Sequence, residues 1–191
     1  MGSEMCIRDR FEGLGNGALP SLENLDLEAN IIGDAGASAL GAALNRGALP
    51  CLEVLVLAGT DLGNAGLIAL APGLRSRPHL RILNLGVNRV GDDGVAALVA
   101  PGEEVLPSLV DLHLEGNDVD DAGCATLVAA LSSGAMPSAE WIGLGSEQVP
   151  DISGLGLEQT PTRAARAAVD EALASRWQAL EEPLENEEPG E

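Results

Sequence analysis

The phrase Pro-x-Leu-x-x-Leu-x-Leu occurs four times in this chain, starting at Pro20, Pro50, Pro78 and Pro107. The prolines are 30, 28 and 29 residues apart, and a worn fifth copy from Pro137 keeps Ile142 and Leu144. Units of this length cannot each bury an apolar face alone. They must stack, so the period predicts a solenoid and favours binding over chemistry.

One unit shows how. In Pro20–Leu49, Leu25 and Leu27 lie two residues apart, which places both on one face of a short strand. Four parallel strands are predicted near 24–27, 54–57, 82–85 and 111–114, each followed by a helix. Asn30 follows the first strand, and its amide is suited to satisfying backbone groups in the turn. Asn88 and Asn117 hold the same place, and Thr60 replaces them in the second unit. Asp34, Asn64, Asp93 and Asp121 are predicted helix N-caps. Gly36, Gly66, Gly94 and Gly123 are read as letting each helix approach the sheet. Ala39, Leu40, Ala43 and Leu44 form an apolar helical stripe, repeated by Leu70 with Leu74 and Leu127 with Leu131. Pro72-Gly73 and Pro101-Gly102 are expected to end the second and third helices early.

These residues spell Leu-x-x-Leu-x-Leu-x-x-Asn-x-Ile-Gly-Asp-x-Gly, and over roughly residues 11–147 the chain resembles the ribonuclease-inhibitor-type leucine-rich repeats. That group includes the ligand-sensing domains of NOD-like receptors and the GTPase activators of Ran. The resemblance implies an α/β fold: a short right-handed solenoid or horseshoe, with a parallel sheet on the concave side and helices on the convex side. It also implies a cytosolic or nuclear protein used for protein–protein contact.

Composition narrows the partners. Thirty acidic against ten basic residues give a net charge of −20, which opposes binding to nucleic acid or to an anionic membrane. A basic protein surface is the natural complement. Hydrophobic residues make up 46% of the chain but aromatics only 2%, so the core must be aliphatic. Cys6, Cys51 and Cys124 have neither disulfide-framework nor zinc spacing, which fits a reducing compartment. No cofactor, metal or catalytic constellation is expected. Asp111, His113 and Glu115 step along one strand face about 7 Å at a time, too spread for one ion.

The chain divides into a leader over 1–10, repeats over 11–147, a linker over 148–161, a helix over 162–180 and an acidic tail over 181–191. Ser3–Arg10 reads as translated library adapter, hence a non-native leader. Gly15–Pro20 matches the end of a repeat at Leu44–Pro50, as if the chain entered a repeat midway. The helix carries Val169, Leu173, Trp177 and Leu180 at helical spacing behind Thr162 as N-cap. It is expected to cap the solenoid, an independent partner-binding helix being the alternative. The tail holds six glutamates and no base, so disorder is expected.

Counting by two along the strands gives the residues facing away from the core. The candidate binding set is Asp26, Glu28, Val54, Val56, Ile82, Asn84, Asp111, His113, Glu115 and Trp141. An apolar middle flanked by acids suits a partner with an apolar anchor between basic residues, and Trp is enriched in binding hot spots. The plainer alternative is that Val54, Val56 and Ile82 are strand formers and that Trp141 packs beneath the last helix. The predicted function is a non-catalytic, monomeric interaction module binding another protein on the concave face. The alternatives are a piece of a Ran-GTPase-activator-like regulator, or a fragment with no function of its own.

Overall fold

The computed structural model describes residues 11–100, 105–145 and 161–181. The leader, Pro101-Gly102, nearly all of the linker and nearly all of the acidic tail lie outside the described residues. Strands β1 (Asn24–Asp26), β2 (Val54–Val56), β3 (Ile82–Asn84), β4 (Asp111–His113) and β5 (Trp141–Gly143) form one parallel sheet in chain order. Helices α1 (Gly33–Asn45), α2 (Asn64–Arg75), α3 (Asp92–Leu98) and α4 (Asp121–Ser132) alternate with them, and α5 (Arg163–Glu181) follows β5. The worn fifth copy therefore still makes a strand. Backbone pairing needs no leucine: Glu140 and Trp141 both donate to Val110 O, and Ile142 fills the core.

Leu25, Leu55, Leu83, Leu112 and Ile142 stand opposite one another across the sheet. All but Leu25 are buried. The helical stripe is buried as its spacing requires: Ala39, Leu40, Ala43, Leu44, Leu70, Leu74, Leu127 and Leu131. These layers form one aliphatic core, and Cys124 belongs to it, its thiol pushed up to about 11 chiefly by burial.

The asparagine column ties the units together. Asn88 Nδ2 donates to Leu85 O within its unit at 2.9 Å and back to Leu57 O of the preceding unit at 2.7 Å. Its Oδ1 accepts from Thr60 N and Leu62 N, both at 3.0 Å. Asn117 repeats this pattern with Leu114 O, Leu85 O and Val90 N. Thr60 is too short to reach back and bonds Leu57 O of its own unit.

The predicted N-caps do something else. Of the residues at helix starts in the four repeats, Asp120 is the one that caps its own helix, accepting from Ala122 N at 2.6 Å. The others reach forward to the next unit. Asp34 accepts from Gly63 N at 2.7 Å, Asn64 from Gly91 N and Gly94 N, Asp92 from Asp120 N at 3.0 Å, and Asp121 from Thr162 N at 2.7 Å. Asp92, not Asp93, is thus the structural counterpart in the third unit. Burial pushes its carboxyl above the ordinary range, with the neighbouring Asp120 carboxylate adding to the shift and the Asp120 backbone bond opposing it. The glycine column makes room for this reach. A Cβ on Gly66 would lie 2.5 Å from Asp34 Oδ1, and one on Gly94 2.8 Å from Asn64 Oδ1.

Pro72 does not end its helix: α2 runs through it to Arg75, while α3 stops at Leu98 as expected. Pro72 is exposed, and so is Ile68, whose carbonyl loses the donor that a proline lacks. Gly73 is a packing residue here. A Cβ on it would fall 2.8 Å from Gly41 O, and one on Gly41 2.6 Å from Ala69 O. This backbone contact between α1 and α2 holds the last turn against the cost of the proline.

One column past the strands is strained. Ala29, Gly59, Val87, Gly116 and Gly145 all have positive φ, 56°, 63°, 54°, 69° and 97°. Glycine holds this conformation freely, whereas a β-branched residue pays about 1–2 kcal/mol. Val87 is 70% exposed, so its side chain recovers little of that by packing. Val87→Gly is expected to raise the thermal midpoint by a few degrees. A lower midpoint by calorimetry would contradict the strain.

Candidate protein-binding face

The sheet register lines the outward residues into rows. Asn24, Val54, Ile82, Asp111 and Trp141 form one, and Asp26, Val56, Asn84, His113 and Gly143 form the next. Val54, Val56, Ile82, Asn84, Asp111, His113 and Glu115 are half-buried, and Asp26 and Glu28 are exposed. Three-residue strands with buried central leucines force this: with the middle side chain in the core, its two neighbours must face out. The apolar patch of Val54, Val56 and Ile82 is therefore contiguous, with Asp26 on one side and Asp111 on the other.

Two polar members are partly committed already. Asp26 Oδ1 accepts from Glu28 N and Asn84 Oδ1 from Gly86 N, each at 2.9 Å. Each side chain turns its oxygen onto its own strand end and so is held in one orientation.

At the far end three side chains gather over Gly143. The Trp141 ring stands 4.5 Å from the His113 ring, tilted by 58°. His113 Nδ1 lies 3.6 Å from Glu115 Oε1. A Cβ at Gly143 would strike both the Trp141 ring and the Glu115 carboxyl. Trp141 packs against the tilted His113 ring yet, at 42% exposed, stays open to a partner.

Beside this cluster a cleft of about 600 Å³ opens between β5 and α5, lined by Trp141, Glu115, Arg163, Arg166 and Asp170 among others. The outward count by two missed the contribution of α5. Its signal was the i, i+3, i+7 spacing of Arg163, Arg166 and Asp170 on one helical face, flanking the apolar stripe.

Helix α5 lies along α4 and touches β5. Thr162 Oγ1 accepts from Ala165 N at 3.2 Å at its start. Arg176 donates to Met136 O at 2.8 Å and Ala135 O at 3.0 Å near its far end. Val169 and Leu173 are buried, but Trp177 is 42% exposed and leaves the expected stripe. The 19 residues of α5 outrun the 12 of α4, so Trp177 projects past the partner helix.

Residues 18–41, 48–71, 77–99 and 105–128 each match the family model described as Leucine Rich repeat. The chain is a leucine-rich-repeat protein. Among solved structures it resembles Leiomodin-1 Actin-Binding Site 2, at 15% identity and a TM-score of 0.64, covering 91% of this chain and 89% of that one. It also resembles the tropomodulin C-terminal domain of Caenorhabditis elegans, at 20% identity and a TM-score of 0.61, covering 94% and 96%. At these identities the likeness is one of fold. No curated protein sequence matches the chain.

Proposed function

We propose that the protein is a non-catalytic interaction module that binds another protein on the concave face of its sheet. The observation that carries this reading is the row Asn24–Val54–Ile82–Asp111–Trp141. It sets the apolar Val54 and Ile82 between the Asn24 amide and the Asp111 carboxylate and ends in an exposed, pre-positioned Trp. A rigid aromatic anchor loses little entropy on binding and tends to dominate interface energy. The fitting partner is a protein with an apolar anchor between basic side chains. Units of 28–30 residues, each with a helix, favour the ribonuclease-inhibitor-like type. Cys51 and Cys124 carry no disulfide, in keeping with a cytoplasmic or nuclear setting. The similar leiomodin structure is that of an actin-binding site, which supports a protein partner and makes actin the first to assay.

The test is the double change Val54→Glu and Ile82→Glu. Both side chains face away from the core, so the circular dichroism should stay unchanged. Affinity for a partner recovered by pull-down should fall at least about tenfold, or roughly 1.4 kcal/mol. The wild-type complex should also weaken with salt, because the acidic flanks act through a screened field. Undiminished binding by the double mutant would move the site to the helices or loops.

A further inference from the structure

Strand β4 holds two carboxylates that lack a cation. Among the described residues, neither Asp111 nor Glu115 accepts a hydrogen bond or pairs with an arginine. The nearest basic group to Glu115 is His113, whose Nδ1 at 3.6 Å is beyond hydrogen-bond reach. Glu115 is half-buried all the same. Its carboxylate lies across the sheet between two glycines. Oε2 is 3.8 Å from where a Gly86 Cβ would stand, and Oε1 occupies the place of a Gly143 Cβ, against the edge of the Trp141 ring. Asp111 is the register neighbour of Trp141. The indole therefore has Asp111 beside its base and Glu115 beside its far edge, and it stays open to solvent.

The cleft of about 600 Å³ opens over this corner. Its α5 wall carries both signs of charge. Arg166 turns to Gly145 O at 3.5 Å, and Asp170 stands one helical turn further on. Nothing on that wall amounts to a one-sided barrier to a cation. A half-buried carboxylate without a counter-charge gains most from a partner that brings one. The face of an indole attracts cations as well. A guanidinium meets both demands at once, because it is planar enough to stack on the ring and forked enough to pair with the carboxylate. The net charge of −20 draws such a group in from a distance.

We propose that the Trp141–Glu115 corner of the cleft is the slot for one arginine side chain of the partner protein, its guanidinium stacked on the indole and paired with the Glu115 carboxylate. This rests on the concave-face reading above and places one of the partner's basic residues at a defined point beside the apolar strip.

The chain has two tryptophans and no tyrosine, so Trp177→Phe leaves Trp141 as the sole strong fluorophore. That variant is titrated with N-acetyl-arginine amide and, separately, with N-acetyl-citrulline amide, its uncharged isostere. A saturable change in Trp141 emission with the arginine compound and none with the citrulline compound is expected. Adding Glu115→Gln should weaken the arginine response at least about fivefold, as the loss of one charged contact requires. Circular dichroism checks that the fold is kept; if Glu115→Gln does not fold, Asp111→Asn carries the test and should weaken the response in the same direction. An equal response to the two compounds, no saturable response to either, or an arginine response that the carboxylate variant leaves unchanged would overturn the slot. The probe needs no partner protein. A failed slot therefore leaves the Val54–Ile82 reading standing, and normal binding by the Val54→Glu, Ile82→Glu double mutant would sink that reading without touching the titration.

Discussion

Leu55→Ala should destabilise the protein by roughly 2–5 kcal/mol. Leu55 is fully buried and sits between Leu25 and Leu83 in register, so its loss opens a cavity bounded by two other units. Unit stability in a solenoid is largely nearest-neighbour stability, so the damage is shared by both interfaces. Leu112→Ala, buried between Leu83 and Ile142, should cost about the same. Leu25→Ala is the control: half-buried at the edge, it should cost clearly less. Denaturant unfolding reads all three. A loss under about 0.5 kcal/mol for Leu55→Ala would mean that the side chain is not buried between units.

Asn88→Ala should be comparably severe, by a different route. The amide is buried and holds Leu57 O, Leu85 O, Thr60 N and Leu62 N at once. Leu57 O keeps the Thr60 hydroxyl and Leu85 O keeps the Asn117 amide, but alanine leaves Thr60 N and Leu62 N without a partner in a place water does not reach, at about 1–3 kcal/mol for each orphaned group. Relaxation recovers part, so a net loss of about 3–5 kcal/mol is expected. Asn30→Ala removes the same amide from an exposed position, and water replaces its bonds; the loss should stay under about 1 kcal/mol. Equal losses in the two variants would show that reaching between units is not what the column contributes.

The architecture was legible because one rule was written four times. Leucines two residues apart name the inward face of a strand, and a period of 28–30 residues permits only stacking. What connects one unit to the next was harder to read. Asp34, Asn64 and Asp121 look like local caps, since an acid or amide at a helix start ordinarily bonds its own helix. The forward reach of Asp34 and Asn64 depends on the glycine of the next unit, about 30 residues away, and Asp121 reaches Thr162, 41 residues on, so no local window contains both partners. Pro72 misleads in the same way. Its cost is local, but the contact that outweighs it lies between Gly41 and Gly73 on different helices. On the candidate face, period two was enough to place Val54, Ile82 and Trp141 outward. The clustering of His113, Glu115 and Trp141 over Gly143 needs the register between β4 and β5, and the cleft beside them needs α5. Neither was readable along a single strand.

Photo-crosslinking from two positions tests the binding reading most directly. A photoreactive residue at position 82 lies in the apolar strip of the sheet. One at position 68 replaces Ile68, 47% exposed on the outer side of α2. Partner binding on the concave face predicts crosslinks from position 82 and none from position 68. Crosslinks from position 68 alone would contradict it.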